Sequence, residues 1–179
     1  MAEEQVFTLS LINSLKATGK KKICSRGELL LNEGEIEKNL YYIESGAVRI
    51  FLLSAHEEQT IRLGYEGSII NSLSSFLKGS PSEFYVEAIR KTTLKVLSKT
   101  ALSDIVNKNM ESLNGYNSLL ETVIAQQMER EVDLLTISPA ERLQRVLQRS
   151  LNLFQHIPLK YIAAYLRMTP ETLSRIRNS

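Results

Sequence analysis

Apolar side chains at Val6, Leu9, Ile12 and Leu15 recur at helical spacing and predict a first helix over about residues 6–17. The texture then changes. From about Ile23 to Ser98, short β-prone runs are separated by glycine and charge. In "LYYIESGAVRIFLL" two apolar runs meet at Glu44, Ser45 and Gly46, which predicts a hairpin turn. "QTIRLG", "FYVEAI" and "TLKVLS" read as further strands, with glycines recurring between them as turns require. Many short strands with regular turns predict a closed or rolled antiparallel sheet. "INSLSSFLKGS" lacks strand alternation and predicts a short helix within that roll.

A third texture begins near Thr100. Between Ala101 and Ile137 there is no proline, and Gly115 is the one glycine. Leu113, Tyr116, Leu120, Val123, Gln127, Arg130, Leu134 and Ile137 follow alternating spacings of three and four, a heptad seam. A second apolar set, Leu119, Ile124, Met128, Val132 and Leu135, shares the same helix. Two apolar faces need two partners. One is expected on the roll and the seam on a second copy, making a twofold dimer in which Gln127 and Arg130 set the register. The plainer alternative is one amphipathic helix packed on its own sheet.

Ser138, Pro139 and Glu141 are an N-cap, a first-turn proline and a capping-box carboxylate, so a new helix starts there and runs to about Leu151. After Pro158, "LKYIAAYLRMTPETLSRIRNS" places Leu159, Ile162, Ala163 and Leu166 on one apolar stripe. Thr169 caps a final helix with Pro170 at its first position and Glu171 in its first turn. Leu173 and Ile176 point inward, leaving Glu171, Ser174, Arg175 and Asn178 outside. Two short helices, a small residue in the first and a polar face on the second suit a helix-turn-helix. Arginine can grip guanine bidentately, glutamate can accept from cytosine, and serine can bond either kind of base. The alternative is a plain αα-hairpin with solvated charges.

Charge sharpens this picture. The chain of 179 residues has a net charge of +2, yet residues 138–179 carry seven basic side chains against Glu141 and Glu171, a net +5. The remaining 137 residues hold 15 basic and 18 acidic side chains, a net −3. Such a concentration points to a polyanionic partner, double-stranded DNA. Arg142, Arg145, Arg149, Lys160, Arg167, Thr169 and Arg177 are the candidate phosphate contacts.

Other chemistry is excluded or unsupported. No apolar run approaches the roughly 20 residues of a membrane span, and the acidic start "MAEEQVFTLS" is unlike a signal peptide, so a cytoplasmic protein is expected. Cys24 is the single cysteine, which rules out an internal disulfide and reads as a small apolar residue. His56 and His156 read as solvated loop histidines, and "GKKK" at Gly19–Lys22 as solvated surface. With no glycine-rich phosphate loop, nucleophile elbow or metal-ligand spacing, neither an enzyme nor a cofactor nor a metal site is expected.

The whole pattern resembles the Crp/Fnr superfamily of bacterial transcription regulators. "IAAYLRMTPETLSRIR" is similar to the family's helix-turn-helix, and "LLLNEGEIEKNLYYIESGAVRIF" to its cyclic-nucleotide-binding β-roll. The order of roll, long helix and helix-turn-helix matches over about residues 8–178. The resemblance implies an α+β fold: an antiparallel roll of the jelly-roll type over residues 1–110, a dimerisation helix over 111–137, and a winged-helix-like DNA-binding unit over 138–179. It implies a homodimer on a near-palindromic site, with Glu171, Ser174 and Arg175 reading bases. RNA polymerase and a small-molecule effector are further candidate partners.

Three departures stand out. The turn carries Arg167 where the family usually has glycine, at a cost of about 1 kcal/mol if that residue is left-handed. The recognition helix ends at Ser179, which reads as a frayed or shortened end. Where cyclic-AMP-binding members place a glutamate and an arginine, this chain has Ser72 and Ser82. Asn71, Ser72, Ser82 and Glu83 are thus candidate effector-pocket residues unsuited to the family's manner of binding a cyclic phosphate. The rival reading is a dimeric ligand-binding regulatory module that does not bind DNA.

Overall fold

A computed structural model describes residues 2–55 and 57–178 of the chain; His56 lies outside them. The fold is α+β. Helix α1 (Ala2–Thr18) leads into β1 (Lys20–Cys24), β2 (Leu29–Leu31), β3 (Asn39–Ser45), β4 (Ala47–Ser54), β5 (Glu57–Tyr65) and β6 (Ile69–Ile70). Helix α2 (Leu73–Lys78) separates these from β7 (Tyr85–Ala88) and β8 (Thr92–Ser98), and α3 (Lys99–Val106) follows. The long helix is α4 (Met110–Leu135). The terminal unit holds α5 (Pro139–Arg149), α6 (Leu153–His156), α7 (Leu159–Tyr165) and α8 (Pro170–Arg177).

The eight strands make two antiparallel sheets, β1-β8-β3-β6 and β2-β7-β4-β5. Their facing sides enclose a core that includes Cys24, Ile43, Val48, Ile50, Val86 and Leu94. Burial pushes the Cys24 thiol up to about 11, so it packs as an inert apolar group.

The segment expected as a hairpin is not one. β3 pairs with β6 and β8, whereas β4 pairs with β5 and β7. Gly46 carries the chain from one sheet to the other at φ +95. A Cβ there would meet Lys91 O at 2.6 Å and Thr92 Oγ1 at 2.5 Å, so only glycine fits. Two apolar runs flanking a turn look alike whether the strands pair or part, and only tertiary context separates the cases.

Helix α1 buries Phe7, Leu11 and Leu15; of the stripe expected from spacing, Leu15 is buried and Ile12 half-buried, while Val6 and Leu9 are 58% and 62% exposed. The α1 face sits on the outer side of the β1-β8-β3-β6 sheet with Leu40, Tyr42, Phe76 and Leu97, and Tyr116 and Leu119 of α4 close over it. The lysines of "GKKK" form β1, whose Lys20 and Lys21 are exposed and whose Lys22 pairs with Glu28 at 3.7 Å.

The terminal unit has its own apolar centre. Ile162, Ala163, Leu166 and Leu173 are fully buried there, and Leu143, Val146 and Leu153 join them. This cluster continues into Ala47, Ile89, Leu63 and Tyr65, so the unit is docked on the outer face of the β2-β7-β4-β5 sheet. Arg49 of β4 anchors that face. Its guanidinium pairs with Glu87 at 2.5 Å and Glu58 at 2.6 Å, beneath the Tyr161 ring at 5.0 Å. Desolvation would lower its pKa, but the two carboxylates outweigh that and raise it. Among the described residues, no helix is long and apolar enough to cross a membrane.

Candidate nucleic-acid interface

The terminal helix pair forms for local reasons. Pro158 precedes α7, and the small Ala163 lets α8 pack against it. Arg167 turns the chain at φ +55, the left-handed conformation that its place in the turn suggests. Thr169 Oγ1 accepts from the Thr172 N–H at 3.2 Å, capping α8, and Pro170 takes the first helical position. Leu173 anchors the inner side of α8 at 0% exposure. Pro170, Glu171, Ser174, Arg175 and Asn178 together line the outer side, with Glu171 and Arg175 exposed and Ser174 half-buried. The three candidate base readers thus share one outward face, with Glu171 at the positive end of the helix dipole and Arg175 at the negative end, charges that suit each end.

The candidate phosphate contacts divide. Lys160, Arg167, Thr169 and Arg177 are exposed around α7 and α8. Arg167 donates to Gln59 Oε1 at 2.9 Å, the Arg177 guanidinium lies over the Phe154 ring, and the Lys160 ammonium lies over the Tyr161 ring. Arg142, Arg145 and Arg149, also expected as phosphate contacts, are engaged within the chain. Arg142 donates to Leu166 O at 2.5 Å and to Thr136 O at 2.7 Å, closing the exposed carbonyls at two chain turns. Arg145 pairs with Asp133 Oδ1 at 2.9 Å. Arg149 pairs with Asp133 Oδ2 and with Glu129, the latter at 3.1 Å. The three arginines lie on the side of α5 facing the last turns of α4, where the fully buried Asp133 carboxylate needs cations. A count of charge along the chain carries no information on which way a guanidinium turns.

The heptad seam is also redistributed. Tyr116 packs edge-on against Phe7, with ring centroids 6.0 Å apart. Arg130 is 6% exposed, with its guanidinium 3.7 Å above the Tyr165 ring and Nη2 donating to Tyr165 O. Both therefore serve this chain's own packing. Leu120 and Val123 are half-buried beside the roll, while Gln127, Leu113 and Leu134 are exposed. Ile137 of the seam is 93% exposed, and most of the second set is open as well: Ile124, Met128, Val132 and Leu135 are 61%, 62%, 48% and 80% exposed. Spacing identifies two faces, but the buried one is chosen by what α1 presents.

The candidate effector segment folds on itself. Ser72 Oγ and Ser82 Oγ are 2.8 Å apart, and Ser82 also bonds the backbone of Phe84. Asn71 donates to Asn39 O at 3.3 Å, and Glu83 is exposed. Behind them Glu37 is fully buried: Oε1 accepts from the Asn39 N–H and the Tyr41 hydroxyl, and Oε2 has no partner. Burial pushes its carboxyl above the usual range, although backbone N–H groups at Asn39 and Ser72 oppose this. The local charge is acidic.

His156 is not a solvated loop residue. Its ring stacks on Tyr65 of β5 at 4.7 Å and 2°, tying the terminal unit to the roll. Sequence reasoning missed Arg49, Asp133 and Tyr65, because single residues in a strand or long helix carry no local motif. Among the described residues, no group of three or more His, Cys, Asp and Glu side chains could hold a metal ion.

Residues 21–109 match the cyclic nucleotide-binding domain family. No curated protein sequence matches the chain. Solved structures do. FixK2 from Bradyrhizobium japonicum superposes with a TM-score of 0.73 at 20% identity, covering 90% of this chain and 83% of that one. A CooA variant from Carboxydothermus hydrogenoformans gives 0.68 at 20% identity, over 96% and 82%. The catabolite activator protein of Thermus thermophilus gives 0.57 at 22% identity, over 96% and 81%.

Proposed function

The chain has the fold of the Crp/Fnr superfamily, and we propose that it is a homodimeric, sequence-specific DNA-binding transcription regulator. The observation carrying this reading is the outward face of α8, where Glu171, Ser174 and Arg175 stand on a capped helix anchored by Leu173. Side chains of these types read base edges in a major groove. Lys160, Arg167, Thr169 and Arg177 surround that face and supply the phosphate contacts. A second copy docks on the open stripe of Ile124, Met128, Val132 and Leu135, which supports a twofold pair of readers on half-sites about 34 Å apart.

The roll does not take cyclic AMP in the family's manner. Ser72 and Ser82 satisfy each other, and neither supplies the cation that pairs with a cyclic phosphate. One observation favours the rival reading, a ligand-binding module that reads no DNA: Arg142, Arg145 and Arg149 are engaged by carbonyls and carboxylates of this chain. Fluorescence anisotropy with selected duplexes decides. The regulator reading expects tight, salt-dependent binding, with Arg175→Ala costing about 1–3 kcal/mol and relaxing specificity at one base pair. Absence of binding even to random duplex at low salt sinks it. Sedimentation should show a dimer that Met128→Arg converts to monomer.

A further inference from the structure

A cavity lies where β5, α4 and the terminal unit meet, with a volume of ≈ 210 Å3. Three arginines line it, Arg62, Arg130 and Arg149, and its lining contains no carboxylate. Arg149 is neutralised by Glu129 and Asp133. Among the described residues the other two form no ion pair, although Asp133 attracts Arg130 from a distance. Arg130 is 6% exposed, and its Nη1 is buried without a hydrogen-bond partner. Arg62 is half-buried and, among the described residues, forms no hydrogen bond or ion pair; its electrostatic neighbour is Tyr165. Arg142 and Arg167 add like charge around Arg130.

Holding a buried and a half-buried guanidinium without an ion pair is costly, and folded chains avoid it unless something compensates. Desolvation holds both arginines below the usual guanidinium range, while each remains cationic. Gln126, Gln127 and Ser150 stand in the same lining as neutral donors. Planar forks of N–H groups suit a tetrahedral oxyanion, which accepts from several donors at once.

We propose that this cavity is a binding site for a small phosphate-class oxyanion, gripped by Arg62 and Arg130. The site is separate from the serine segment of the roll. It touches β5 through Arg62, α4 through Arg130, α5 through Arg149 and α7 through Tyr165. An anion here offsets the repulsion among Arg130, Arg142 and Arg167 and fastens the terminal unit in its docked position. Only this regulatory consequence rests on the DNA-reading role; the binding itself does not.

Sodium pyrophosphate is the probe, titrated calorimetrically into the full chain and compared with sodium chloride of equal ionic strength. Saturable binding is expected, with a rise in melting temperature that chloride does not reproduce. Arg62→Met should weaken pyrophosphate at least tenfold while the chain stays folded, since Arg62 has no partner to abandon. Arg26→Met, in an exposed loop, should leave binding unchanged. A thermal shift no larger than that with chloride, or equal affinity in Arg62→Met, overturns the proposal and leaves a cavity holding only water. Random duplex DNA forms a separate arm. If duplex displaces pyrophosphate, the phosphate belongs to nucleic acid and the small-molecule assignment falls. Pyrophosphate binding requires no operator, so failure here and failure of DNA reading are distinguishable.

Discussion

The two halves of α4 are held by opposite chemistry. The first half lies on α1 and the roll through Tyr116 and Leu119, which close over Phe7, Leu11 and Leu102. The second half is held by charge, with Asp133 between Arg145 and Arg149, and Arg130 on Tyr165. Apolar burial is non-directional and is not screened by salt, so the first half behaves as one body with the roll. An ionic joint depends on geometry and on its counter-charges, so the second half can be released without disturbing a core. One helix thus joins a rigid part to a separable one.

The largest test of this contrast is Leu11→Ala, which removes a side chain 1% exposed under α4. A loss of about 3 kcal/mol is expected in chemical denaturation, unchanged by added salt. Asp133→Ala should cost less, about 2 kcal/mol, because its two arginines are about a third exposed and can return to water. That loss should appear as faster hydrogen exchange in α5 before the roll is affected. Equal exchange changes in roll and terminal unit would break the contrast. Arg167→Gly should stabilise by about 1 kcal/mol, offset by a few tenths for the exposed bond to Gln59.

The smallest effect lies in the roll and follows pH. Folding raises the Glu37 pKa, so the protonated form is the one the fold prefers. Its contribution to stability is present below the ordinary carboxylate pKa of about 4.3 and is lost as pH rises through the elevated folded value. Glu37→Gln should therefore melt higher than the parent at neutral pH, with the gap closing toward pH 4. A gap that widens on acidification contradicts the assignment.

What could be read in the residues was local. Ser138 and Thr169 cap α5 and α8 as their spacing requires, because a cap needs only its next three residues. The inward course of Leu173 and the outward course of Glu171 follow from helical period alone. The short strands and α2 were legible for the same reason. Partnership was not. The parting of β3 from β4 at Gly46, the burial of Phe7 in place of Val6 and Leu9, and the inward turn of Arg142, Arg145 and Arg149 all depend on residues far away in the chain. Asp133 was the missing term, a single acid whose burial redirects two arginines.

Arg142 reaches Thr136 O after the last turn of α4 and Leu166 O at the end of α7, which leads into α8. One side chain therefore rivets together the two ends whose relative position fixes where the terminal helix points. Any swing of that helix about α4 must first withdraw the rivet. For the proposed DNA-reading role, this guanidinium, with Arg130 on Tyr165 and the Asp133 pairs, limits how far the half-sites of a bound pair can separate.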